Sequence, residues 1–71
     1  MANYREGARV KWKWGTGWAE AKVVSAHPES ITRTLKGEEI TRHGTGDNPA
    51  YLLEQDDGGR VLKLHSELSK A

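Results

Sequence analysis

The chain has 71 residues, 11 basic and 10 acidic, for a formal net charge of +1. That length holds one small domain, which buries only about 60% of the surface exposed by its unfolded chain. The absence of Cys excludes a disulfide or a thiolate metal site, and no apolar run approaches the ~20 residues of a membrane-spanning helix.

Arg9, Val10, Lys11, Trp12, Lys13 and Trp14 alternate basic and apolar. Period two predicts a half-buried strand with Val10, Trp12 and Trp14 on one face. Gly15-Thr16-Gly17 breaks the run with a tight turn, and Trp18 to Ser25 alternates again as a second, hairpinned strand. Ala19, Ala21 and Val23 share its inner face, where small alanines match large indoles across a tight interior. His27-Pro28 ends this strand, because Pro28 cannot donate to a ladder.

Ile31-Thr32-Arg33 and Ile40-Thr41-Arg42 flank Leu35-Lys36-Gly37-Glu38 and read as a second hairpin. Its low apolar content predicts that it projects from the body. His43 to Pro49 reads as a flexible loop. Tyr51 to Gln55 and Arg60 to Leu64 are strands joined by Asp56-Asp57-Gly58-Gly59, read as a primed turn. Ser66-Glu67-Leu68 is expected to form one helical turn, capped by Ser66, with Leu68 inward. Five to six short strands without a long helix describe an all-β fold, a small barrel of the SH3-like or oligonucleotide-binding type.

The runs Gly7 to Trp12, Lys22 to His27, Ile31 to Gly37, Pro49 to Glu54 and Val61 to Leu68 lie in an order and spacing that resemble the hypervirulence-associated protein Tudor-like domains. The resemblance covers nearly the whole chain. It implies one SH3-like, Tudor-like barrel over residues 1–71, from a bacterial or fungal protein, but assigns no ligand or activity. Trp14 and Trp18 depart from it, standing where many relatives carry polar loop residues.

Trp14, Trp18 and Tyr51 are the candidate aromatic surface for an extended peptide, with Lys11, Lys13, Arg33 and Arg42 as supporting charge. Trp12, Val10, Ala21, Val23, Leu53 and Val61 are the candidate core. Two other readings use the same residues. In one, Trp12, Trp14, Trp18 and Tyr51 form a cage for a methylated cation, with Glu54, Asp56 or Asp57 supplying the acid. In the other, Lys11, Lys13, Trp12 and Trp14, joined by Arg9 and Lys22, form a nucleic-acid platform, with Arg33, Lys36 and Arg42 on the projecting hairpin adding charge. Strand alternation places the lysines opposite those rings, and the balanced charge lacks the usual footprint.

His27, His43 and His65 stand 16 and 22 residues apart, too far for a metal motif, and no motif calls for a cofactor. Ser66 beside His65 points to the opposite face of a strand, which argues against nucleophilic catalysis. The first residues lack the apolar stretch of a signal peptide. The expectation is therefore a cytoplasmic, non-enzymatic binding domain, monomeric or weakly dimeric. Its partner is expected to be a protein or peptide, with nucleic acid as the alternative and no membrane contact.

Overall fold

The computed structural model describes residues 4–71. Strand β1 (Arg9–Trp14) pairs antiparallel with β2 (Gly17–His27), from Arg9↔Lys22 to Trp14↔Gly17. Gly15 takes the positive φ at the first position of the two-residue turn, as a type II′ turn requires. Trp12 lies opposite Ala19 and Val10 opposite Ala21, so the small residues do face the large ones.

A register shift between Val23 and Ser25 bends β2, and its far half pairs with β5 (Ala50–Glu54). Strand β5 in turn pairs with β6 (Arg60–Leu64). The two-residue β7 (Ser69–Lys70) adds to the other edge of β1, giving the order β6-β5-β2-β1-β7. Strands β3 (Ser30–Leu35) and β4 (Glu38–His43) form a separate two-stranded sheet. The fold is thus all-β with seven strands. Neither sheet closes on itself, so the ladders form an open sheet and a hairpin where the sequence predicts a barrel.

As the middle strand between β2 and β6, β5 is buried on both faces. Tyr51 and Leu53 join Val10, Trp12, Ala21, Val23 and Leu68 in one cluster, with Val61 packed against it. Ala50 and Leu52 face the other way, into a cluster with Leu62 and Ile31. That second cluster corrects the expectation of a projecting middle hairpin. Ile31, Leu35 and Ile40 cover the apolar outer face of β5 and β6, so the hairpin folds back onto the sheet. The uninterrupted run Ala50 to Leu53 carries the signal for burial on two sides.

Three local expectations also change. The β5–β6 loop is not a primed turn. The Gly58 amide donates to the Gln55 carbonyl at 2.9 Å, and only Gly58 takes a positive φ, so the loop is a type I turn followed by a left-handed glycine. The 44–49 segment is tied down by reciprocal Thr45–Asn48 backbone bonds and a fully buried Pro49. The helical turn spans His65–Glu67, so Ser66 lies inside it and does not cap it. Glu67 Oε1 accepts from the Leu64 amide at 2.9 Å, and Asn48 Oδ1 accepts from the Ser66 amide at 2.8 Å. Among the described residues no helix is long and apolar enough to cross a membrane.

Candidate functional site

The β1–β2 hairpin extends beyond its neighbours. Strand β5 pairs with β2 only from Lys22 onward, and β7 pairs with β1 only at Val10 and Lys11. Residues 12–14 and 17–19 therefore pair only with each other, as a two-stranded arm. Two of its tryptophans are the large exposed hydrophobics of the described residues, Trp14 at 69% and Trp18 at 56% of full exposure. Trp12 is buried at 6%, with the Lys63 ammonium 5.7 Å from its ring centroid.

Alternation puts the two exposed rings on opposite faces of the arm. Trp14 shares the face of Val10 and Trp12 but lies beyond the end of the core. Trp18 pairs with Lys13 on the other face, together with Lys11 and Glu20. The four rings of the predicted cage are therefore not assembled. Tyr51 must also be removed from the predicted aromatic surface. It is fully buried, its hydroxyl accepts from the Tyr4 amide at 3.1 Å, and it shares a 3.1 Å hydrogen bond with His65 Nδ1. Tyr4 stacks on His65 with centroids 4.9 Å apart, sealing this end of the core.

The supporting charges divide in the same way. Lys11 and Lys13 lie on the face of Trp18, and the Lys11 ammonium sits 4.9 Å from the Trp18 centroid, within cation–π range. Arg33 and Arg42 belong to the other sheet. Arg33 donates to the carbonyl of Thr32 on its own strand, and Arg42 is bonded to Glu67. Arg42 is thus committed to a structural ion pair and is not free charge for a ligand.

Beside Trp18 lies an open groove of about 470 Å³, lined by Arg9, Glu20, Gln55, Asp56 and Asp57. Arg9 reaches Asp56 at 3.1 Å and Glu20 at 3.6 Å. The hydrogen bond to Asp56, with a smaller effect of Glu20, raises its pKa above the ordinary arginine value. Sequence reasoning named Asp56 and Asp57 as acids and Arg9 among the basic residues of the first hairpin, but missed Glu20. Its parity with Lys11 and Trp18 was the available signal.

The remaining polar side chains form small local pairs. His27 Nε2 meets Ser25 Oγ at 2.8 Å and His43 Nδ1 meets Ser30 Oγ at 2.9 Å. Among the described residues neither imidazole bonds a carboxylate that would orient it for general-base work, and none of the His or acidic side chains gather into a metal-binding group.

A small all-β domain with an exposed aromatic arm has the form of a binding module. The profile of the hypervirulence associated proteins TUDOR domain matches residues 7–68, and the chain belongs to that family. Tudor-like domains are generally binding modules. No curated protein matches the chain, and no solved structure does.

Proposed function

We propose that this domain is a non-enzymatic interaction module that engages a protein or peptide through the β1–β2 arm, with Trp18 as the main anchor and Trp14 as the second. The observation that carries this reading is the exposure of two indoles on a ribbon paired only to itself. Tryptophan is a frequent interface anchor because its large ring gains much when a partner removes it from water. The groove beside Trp18 supports a partner that presents basic side chains. Glu20, Asp56 and Asp57 outnumber Arg9 there, and the Trp18 ring already accepts the cation of Lys11. One ring with carboxylates is a weaker receptor for a methylated cation than a full cage, so methylation is expected to add little affinity.

Nucleic acid is the second reading, favoured by one observation. Trp18 shares its face with Lys11 and Lys13, which joins a stacking ring to cations. The carboxylates of the adjoining groove oppose a phosphate backbone.

The test follows the three indole N–H signals in a ¹⁵N–¹H spectrum during titration with a lysine-rich peptide, its trimethylated form and a short single-stranded oligonucleotide. The proposal expects the Trp18 and Trp14 signals to move and saturate with the peptide while Trp12 stays still, and Trp18→Ala to abolish the effect. Movement only with the oligonucleotide, weakening steeply with salt, would replace it with the second reading. Indoles that stay still with all three would defeat both.

A further inference from the structure

Strand β3 pairs with β4 alone, so among the described residues its outer edge is free from Ser30 to Leu35. The two-residue turn at Lys36 and Gly37 makes Leu35 and Glu38 a hydrogen-bonded pair. Alternation then bonds Ile31, Arg33 and Leu35 to β4 and turns the backbone groups of Ser30, Thr32 and Thr34 outward. The Arg33 guanidinium agrees with that direction, because it reaches around the edge to the Thr32 carbonyl at 2.9 Å.

Proteins blunt such edges with proline, lysine, bulges or inward-pointing charge. Strand β3 has no proline or lysine and no register shift, and Ile31, Thr32 and Thr34 favour an extended chain. Its one guard is Arg33. By parity that side chain points toward the body of the domain, with buried Ile31, yet it is exposed, so the body stops short of the edge there.

The edge is complementary to itself. In an antiparallel pair of copies with Thr32 opposite Thr32, every outward-facing residue finds a partner, Ser30 against Thr34 of the second copy. On the outer face, Thr41 and Thr32 of one copy continue into Thr32 and Thr41 of the other, extending the 2.8 Å Thr32–Thr41 hydroxyl bond into a row. On the inner face, Arg33 lies between Ile40 of its own copy and Ile31 of the second. Neighbouring registers are worse. Centring on Arg33 sets like charges opposite each other, and centring on Ile31 sets Thr34 against Pro28, which has no N–H to give. A net charge of +1 leaves little long-range repulsion between copies.

We propose that two copies of this domain associate through β3, antiparallel about Thr32, joining their hairpins into one continuous sheet. In the single copy Arg33 holds the edge closed, and pairing turns its guanidinium off the Thr32 carbonyl. The association is therefore weak and its strength is set by Arg33. This surface is independent of the aromatic arm.

The test is a concentration series of the ¹⁵N-labelled domain, read by sedimentation equilibrium and by ¹⁵N–¹H spectra. The amides of Ser30, Thr32 and Thr34 are expected to shift with concentration toward a dimer plateau while the Trp14 and Trp18 indoles stay still. Arg33→Ala is expected to tighten the dimer about threefold. Thr32→Pro removes an outward N–H and no bond to β4, so it is expected to leave the single copy folded and weaken the dimer about tenfold or more. If its spectrum loses dispersion, Thr32→Lys is read instead; it sets lysine opposite lysine and should weaken the dimer about threefold or more. Four results would overturn the proposal. They are a monomer throughout the series, shifts confined to the arm, no tightening by Arg33→Ala, and a dimer that the folded Thr32 variant leaves unchanged.

Discussion

Replacing Trp12 with alanine separates the three tryptophans most sharply. An aromatic side chain buries about 150–250 Å², worth about 4–6 kcal/mol at about 25 cal/mol per Å². At 6% exposure Trp12 realises nearly all of it, and truncating such a ring costs about 3–5 kcal/mol. Its cross-strand neighbour Ala19 is too small to fill the space, and Lys63 loses the ring beneath it. A domain of this length has a total stability of about 4–11 kcal/mol, so the variant loses about a quarter of it or more. Trp14 is already two-thirds in water and Trp18 more than half, so Trp14→Ala and Trp18→Ala should each cost about 1–2 kcal/mol. Each kcal/mol shifts the midpoint of a domain this size by about 4–8 °C. Thermal melts followed by far-ultraviolet circular dichroism should therefore show Trp12→Ala unfolded or lowered by more than about 12 °C, with the other two still cooperative. Equal losses in all three would refute the reasoning, because Trp14 and Trp18 would then be core residues and could not anchor a partner.

Three further substitutions probe the rest of the fold. Tyr51→Phe keeps the ring but leaves the Tyr4 amide and His65 Nδ1 without their shared partner; urea unfolding should show a loss of about 1–3 kcal/mol, and no measurable loss would mean that this network adds nothing. Gly44→Ala places a Cβ 2.5 Å from the His27 carbonyl oxygen and 2.6 Å from the Ala50 nitrogen. Because both are backbone atoms, it should destabilise by about 1–3 kcal/mol, and an unchanged urea midpoint would contradict that close approach. Lys36 and Gly37 both take positive φ, the type I′ arrangement that favours asparagine at the first position. Lys36→Asn should accordingly stabilise by about 0.5–1 kcal/mol, and a lower melting temperature would dispute the turn assignment.

The β1–β2 hairpin was legible residue by residue. Alternation placed Val10 and Trp12 inward, Gly15 marked the turn, and the alanines matched the rings they face. These features depend on strand period and turn chemistry, which act over a few residues. The family was legible as well, because order and spacing persist along the whole chain. Two-residue β7 carries too little pattern to be seen, and its pairing with β1 depends on chain more than 50 residues away in sequence. Period two also correctly put Trp14 on the face of Trp12. What it could not say is where the covering elements stop, and the limits of β5 and β7 leave Trp14 in water while Trp12 is buried. The same dependence on neighbours buried Tyr51, folded the middle hairpin onto the sheet and tied Arg42 to Glu67. Sequence alone determined most of the strands, β7 excepted, and the faces their alternating side chains take, because those are local properties of the backbone. Tertiary structure alone decided which faces are covered and which charges are free, because each answer rests on a contact between segments distant in the chain.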